Sequence, residues 1–312
     1  NEIGEAITKM PAIYDEPFAD VSQVPTYLVS KFAKKFVTVV LSGDGGDELF
    51  YGYGRYNQFV NRWRRVGQSP FLHPFGVLAR VTGMNCLLEK LAINSRRGGG
   101  GHGLRSLLGL SSIMTSKNAA FAYNESISAW KHPSNLVRSC AEPELSTKFL
   151  NSENINSELD LERLIPFLDF TNYLPDDILV KVDRAAMANS LETRIPMLDH
   201  EFVELAFGLP FSEKWDGQQG KVILKSILSR YVPRSLFERP KMGFGVPIGL
   251  WLKGELKEWT MDYLSPSNLD KVGVFRSKQT QNILNQHLQG RADWGEHLWG
   301  LVMFQAWADS NL

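Results

Sequence analysis

An apolar run, Phe36-Val37-Thr38-Val39-Val40-Leu41, stops abruptly at Ser42-Gly43-Asp44-Gly45-Gly46-Asp47-Glu48. No other stretch constrains the fold as much. The run is short and rich in β-branched residues, with Lys34 and Lys35 before it, so it reads as a buried strand of a parallel sheet. In open α/β sheets, ligands collect at the carboxyl ends of such strands. Glycines there let the backbone approach a ligand closely, and successive N–H groups in such a turn hold an anion. Two carboxylates beside those amides would repel a bare anion. They fit if a hard cation such as Mg2+ sits between carboxylate and phosphate oxygens. The loop therefore points to a Mg2+–polyphosphate site with Asp47 as the metal ligand. A solvated turn, for which Gly and Asp are common, is the competing reading.

The flanking sequence supports an α/β unit. A helix is expected over 23–35, capped by Ser22, with Pro25 in its first turn and Val24, Leu28, Phe32 and Ala33 on its core face. Helix, strand and acidic loop in that order form half of a β-α-β unit. A weaker helical pattern over 2–10 places Ile3, Ala6, Ile7 and Met10 on one side. Between them, Tyr14-Asp15-Glu16-Pro17-Phe18-Ala19-Asp20 is either a surface loop or the acidic edge of a site. After the acidic loop, Phe50-Tyr51-Gly52-Tyr53-Gly54-Arg55-Tyr56 is expected to pack over the sheet end. A helix over 55–65 carries Arg55, Arg62, Arg64 and Arg65 as a solvated face.

Composition excludes several classes. Lys+Arg and Asp+Glu balance at 34 each, which gives no electrostatic case for nucleic acid or an anionic membrane as partner. The two cysteines, Cys86 and Cys140, make neither a disulfide framework nor a cysteine zinc site, and a reduced, cytoplasmic setting fits. No apolar run approaches the length that spans a bilayer. The first residues, Asn1-Glu2-Ile3-Gly4-Glu5, are neither a signal nor a transit peptide, and without an initiator Met the chain is expected to begin partway through a longer protein. From 67 to about 160, helical patterns alternate with Pro and Gly breaks and hold no catalytic constellation. Arg96-Arg97-Gly98-Gly99-Gly100-Gly101-His102-Gly103 reads there as a flexible basic connection, with phosphate binding as the other reading.

Two further stretches carry charge in unusual company. Residues 176–190 read as a helix started by Pro175 and Asp176, with Ile178, Val182, Ala185 and Ala186 toward the core. Lys181, Asp183 and Arg184 sit there among small residues, unlike an ordinary solvent face. Glu192 and Arg194 follow in an extended piece before Pro196. An ion-pair network and a site role are both open for these charges. Later, Gly220-Lys221-Val222-Ile223-Leu224-Lys225 opens a helix to about 230, and Pro233 starts a short one. Arg239-Pro240-Lys241-Met242-Gly243-Phe244-Gly245-Val246-Pro247 then forms a Gly/Pro-structured loop that suits phosphate binding, with a basic surface turn as the commoner alternative. The C-terminus, with Trp294, Leu298, Leu301, Val302 and Trp307, reads as an amphipathic helix whose aromatics are core.

Taken together, these stretches resemble the synthetase domain of glutamine-dependent asparagine synthetases of the bacterial type. The matching pieces are residues 14–20, 41–48, 174–184, 191–199, 220–225 and 239–247, in the family's order, and only about 67–160 is poorly covered. The resemblance implies an α/β fold: a remnant of a parallel, adenine nucleotide α-hydrolase-like sheet followed by a large, mostly helical region. Residues 1–312 would be a partial synthetase domain, with 1–66 its nucleotide-binding part, 67–160 a helical, poorly matched part, and 161–312 a helical part with the substrate and pyrophosphate motifs. It implies ATP and Mg2+ as cofactors, and aspartate and glutamine-derived ammonia as substrates. The aspartate β-carboxylate attacks the α-phosphorus of ATP, and ammonia then attacks β-aspartyl-AMP. By position, Ser42 and Gly43, with Gly45 and Gly46, look like nucleotide contacts and Asp47 like the Mg2+ ligand. Lys241 looks like the cation on the leaving pyrophosphate, and Asp44 like the acid that positions or deprotonates ammonia. Lys181, Asp183, Glu192 and Arg194 line or brace the substrate side.

The departures are specific. Asp44 stands where the best-known members have Glu, which draws the carboxylate back by one methylene. The family's Ser-Gly-Gly-x-Asp-Ser pyrophosphatase loop and its glutaminase domain are absent and are expected upstream of residue 1. A homodimer is compatible with the resemblance. Two alternatives stay open: an amidotransferase or cyclase of the same family acting on another carboxylate, and a chain that is catalytically inert without a partner polypeptide.

Overall fold

The computed structural model describes residues 2–67, 113, 116, 118–130, 132–139, 160–238 and 245–312. The basic connection at 96–103, Arg239 and Lys241 lie outside the described residues. The chain divides into two compact units that interleave in sequence. One is drawn from Asn1–Val24, Arg62–Asn151 and Val246–Leu312, the other from Pro25–Asn61 and Ser152–Gly245.

In chain order the elements are helix α1 (Glu2–Ile13), α2 (Gln23–Ala33), strand β1 (Val39–Leu41), the single turn α3 (Gly46–Leu49), α4 (Gly54–Arg62), α5 (Ala119–Ile127) and α6 (Leu161–Leu168). A π-helical segment, Asp169–Leu179, carries the chain from α6 into α7 (Val180–Met187). After it come β2 (Glu192–Arg194), α8 (His200–Gly208), α9 (Val222–Leu228), α10 (Ile248–Trp251), α11 (Lys257–Tyr263), α12 (Pro266–Val272), α13 (Ser277–Leu288) and α14 (Gly295–Asn311). Pro175, inside the π-helical segment, has no N–H for an ordinary helical bond, and the wider register there lets the helix run through it. Among the described residues no helix is long and apolar enough to cross a membrane.

The first unit is organised on α14. Leu298, Trp299, Leu301, Val302, Met303 and Ala306 bury nearly its whole circumference, because α1 and α10 to α13 all pack on it. A helix covered on all sides is apolar all round, so the amphipathic reading is corrected. Trp294 and Trp307 are only half-buried. On α1 the expected face holds, with Ala6, Ile7 and Met10 buried. Before α2, the Asp20 carboxylate accepts from the backbone N–H of Ser22 at 2.8 Å and from its hydroxyl at 2.8 Å.

The second unit contains the sheet. β1 and β2 pair in parallel with Val39 opposite Glu192, Val40 opposite Thr193 and Leu41 opposite Arg194. The parallel strand is therefore present, but it is not buried: Leu41 is 74% and Val39 43% exposed. Only one neighbouring strand is supplied by the described residues, and nothing described covers the face carrying Leu41. On α2 the expected core face holds at Val24 but not at Phe32, which is 62% exposed; Gln23, Tyr27 and Ser30 are its other buried positions.

Candidate active site

The acidic loop leaves β1 under backbone control. Ser42 N–H donates to the Arg194 carbonyl at 2.8 Å, which extends the parallel ladder one residue into the loop. Gly45 then takes the left-handed conformation (φ 82°), where a Cβ would lie 2.6 Å from Leu198 Cδ2, and α3 starts immediately after it. Leu49 and Phe50 anchor this turn in an apolar cluster with Ala206, Phe202, Val203 and Ile223. The loop is thus held at one end by the sheet and at the other by a packed core.

Within the loop, the Ser42 hydroxyl donates to Asp44 Oδ2 at 2.5 Å, so the Asp44 carboxylate has a fixed direction. Asp47 Oδ2 is 2.8 Å from Lys221 Nζ, with both side chains partly exposed. Local folding brings Lys221 there. Asp216 Oδ1 accepts from the backbone N–H of Gln218 and Gln219, both at 2.8 Å, which tightens a turn closed by a bridge between Trp215 and Gly220. Lys221 N–H then donates to the Phe50 carbonyl at 2.8 Å. Lys221 and Tyr51 both sit at positive φ, 61° and 55°. Such strain in non-glycine residues persists only where the surroundings enforce it, and it gathers at functional sites. Gly52 makes the approach feasible: a Cβ there would lie 2.1 Å from Asp47 Oδ1 and 2.5 Å from Lys221 Cε.

A buried polar network backs the loop. Glu48 is buried and accepts from the Tyr53 hydroxyl at 3.1 Å. Burial pushes the Glu48 carboxyl above the usual range, against its own backbone hydrogen bond and the Tyr53 bond. Burial likewise raises the Tyr53 phenol, helped by the charges of Glu48 and Asp47. The Arg55 guanidinium lies 4.2 Å from the Tyr53 ring and 4.7 Å from the Tyr173 ring. It ion-pairs with Asp169, whose Oδ2 also accepts from the Tyr56 hydroxyl at 2.8 Å. Arg55 is therefore not on a solvated face; of the aromatic run, Tyr53 and Tyr56 pack on this network, while Phe50 packs on Phe202 and Tyr51 on Tyr56, Phe211 and Trp215.

The other expected residues fall on the same unit. Lys181 and Asp183 lie on α7, Lys181 buried and Asp183 exposed. On β2, Glu192 and Arg194 are both exposed and 3.6 Å apart, a surface pair of little energetic weight. The parallel register sets Arg194 beside Leu41 and the start of the acidic loop. Ser42, Gly43, Asp44, Gly45, Gly46 and Asp47 are contiguous on the turn after β1. Lys221 was the residue sequence reasoning missed; its signal was a cation directly after Gly220 at a helix start. Among the described residues no three His, Cys, Asp or Glu side chains gather into a metal cage.

A parallel strand pair in a mostly helical chain, ending in a Gly-acid turn faced by a cation from a strained loop, is consistent with an α/β domain. Residues 1–309 match the asparagine synthase family, and the chain belongs to that family. It is similar to asparagine synthetase [glutamine-hydrolyzing] 1 of Bacillus subtilis, 30% identical over 317 residues, covering 99% of this chain and 46% of the relative. A relative from Mycobacterium tuberculosis (strain ATCC 25618 / H37Rv) is 31% identical over 325 residues, covering 97% of this chain and 44% of its own. The human glutamine-hydrolyzing asparagine synthetase is 30% identical over 159 residues, 46% of this chain. The chain spans less than half the length of the first two relatives.

Proposed function

We propose that this chain carries the acyl-adenylating, amide-forming chemistry of a cytoplasmic asparagine synthetase. Aspartate would be converted to asparagine with ATP cleaved to AMP and pyrophosphate, and ammonia would come from glutamine at a glutaminase site on further polypeptide. The opposition of Asp47 and Lys221 at the end of a parallel strand carries this reading. A carboxylate beside a cation is a poor site for a bare anion but a good one for a phosphate chain shared with a metal ion. Mg2+ at nucleotide sites takes one or two carboxylates plus substrate phosphates, so a lone Asp47 fits without a cage. Asp47 would hold the ion, which supplies neutralisation of pyrophosphate charge. Lys221 would move from Asp47 to a phosphate oxygen.

The remaining roles follow position. Gly43 and Ser42 would meet the nucleotide, with the Ser42 hydroxyl also fixing Asp44. The aspartate carboxylate oxygen attacks the α-phosphorus and pyrophosphate leaves. Ammonia attacks the acyl carbon, AMP leaves, and Asp44 accepts the proton. Gly45 and Gly46 shape the turn, and Lys181, Asp183, Glu192 and Arg194 would line or brace the substrate side. Lys241, outside the described residues, keeps its proposed place on the leaving pyrophosphate by resemblance. The exposure of Val39 and Leu41 supports a site completed by additional polypeptide that covers β1.

Aspartate-dependent ATP–pyrophosphate exchange with Mg2+ tests the reading, on the chain alone and together with polypeptide encoded directly upstream. Exchange in either, abolished by Asp47→Asn and weakened in pyrophosphate affinity by Lys221→Met, is the expected result. Exchange in neither, or driven by another carboxylate and not by aspartate, overturns aspartate as the substrate.

A further inference from the structure

A second cationic site lies behind the acidic loop, in the cleft where α3, α6 and the end of α8 meet. Its walls include Leu49, Pro166, Phe207 and Phe211, and two cations line it: Arg163 on α6 and Lys214, after the short turn Phe211–Glu213. Lys214 is half-buried, with Nζ 5.4 Å from the centre of the Phe207 ring. Burial, then the Arg163 charge, pulls its amine down to about 8. The two carboxylates of the cleft do not offset this. Glu48 is engaged by Tyr53, and a Glu162 paired with Lys214 would raise the amine rather than leave it depressed. Among the described residues neither cation has an ion-pair partner within 4.0 Å. Lys221 is the contrast, because it is paired with Asp47.

We propose that this cleft is a binding site for a small oxyanion, phosphate or carboxylate, held between Lys214 and Arg163 over the apolar wall. Two like charges at a partly desolvated position repel each other, and an anion bridging them relieves both the repulsion and the lost hydration. The guanidinium offers a fork of donors that matches a planar or tetrahedral oxyanion, and the ammonium a point charge. Leu49 and Phe207 exclude water from one side, which strengthens the interaction. The site does not depend on the proposed amide synthesis, since it uses none of the residues assigned to ATP or aspartate.

Competitive labelling of the full chain with trace acetic anhydride, read per lysine by mass spectrometry across neutral to alkaline pH, tests it. Sodium chloride, sodium phosphate and sodium acetate are compared at equal ionic strength, with exposed Lys257 as internal reference. In chloride, Lys214 is expected to titrate at about 8. In phosphate its titration should rise by about one pH unit, a roughly tenfold drop in labelling between the two midpoints. Arg163→Gln, an exposed substitution that leaves the core intact, should remove most of that rise. A rise with phosphate alone assigns the site to phosphate, and a rise with both anions assigns it to oxyanions in general. An unchanged Lys214 titration in both anions overturns the proposal. An equal shift at Lys257, or one that survives in Arg163→Gln, overturns it as well.

Discussion

Removing the Arg55 guanidinium should damage the protein more than removing any exposed cation. Asp169 is only 1% exposed and its Oδ2 accepts from both Arg55 and Tyr56. Arg55→Met takes the cation from a carboxylate that has little water to replace it. Breaking a buried pair on one side costs about 3–5 kcal/mol. Because the Arg55 side chain is 35% exposed, water offsets part of this, and the lower end, about 3 kcal/mol, is the working figure. Arg55→Lys keeps the charge but cannot stack its flat face on Tyr53 and Tyr173, so it should lose about 1–2 kcal/mol at ~0.5–1 per ring. Asp169→Asn removes the charge that needs the cation. In that background Arg55→Met should cost about 2 kcal/mol less than in wild type, the coupling a double-mutant cycle reads. Urea unfolding with a shared slope supplies all four values. An Arg55→Met loss below about 1 kcal/mol, or a cycle that closes with no coupling, would refute the argument that Arg55 and Asp169 stabilise the fold as a pair.

Gly52→Ala should place a methyl against Asp47 Oδ1 and Lys221 Cε. It should cost about 1–3 kcal/mol in stability, and about a hundredfold in pyrophosphate exchange if the pair sits at the reacting phosphates; urea melts and exchange rates check each part. His287 is fully buried, its Nε2 paired with the Gly249 carbonyl at 2.9 Å and its Nδ1 accepting from Trp294 N–H at 3.1 Å. Burial, then the Lys253 charge, lowers its folded-state pKa, so its contribution is fully present above about 6.5 and is lost as pH falls toward that lower value. Melting temperature against pH should show that decline in wild type and a flatter profile in His287→Gln. Leu41→Lys should reduce binding of a hydrophobic dye to the chain by exposing a charge in place of an apolar side chain, with stability changed by no more than ~0.5 kcal/mol.

The sequence made the acidic turn legible as a turn, because glycines and carboxylates after a β-branched run end a strand. The parallel pairing of that run was legible for the same reason. Its burial was not, since 36–41 reads as apolar whether or not a covering layer is present, and exposure depends on neighbours that the run itself does not encode. Arg55 was misread because a cation at the start of a helix looks solvated from its own stretch. Its partner, Asp169, lies far along the chain and only folding brings them together. The same holds for Lys221 and Asp47. The C-terminal helix is legible in the sequence but reads as one-sided, because spacing along a helix does not reveal the five helices packed around it.

The floor of the candidate site is a parallel pair whose strands are distant in the chain: Val39 faces Glu192, about 150 residues later. Closing so long a loop is slow, and among the described residues β2 is the strand that β1 pairs with. During synthesis the acidic turn therefore emerges long before its scaffold, and Ser42 has no carbonyl to bond until Arg194 leaves the ribosome. The acidic loop should be among the last parts of this unit to gain protection from hydrogen exchange during refolding, after α8 and α9 have formed through local contacts.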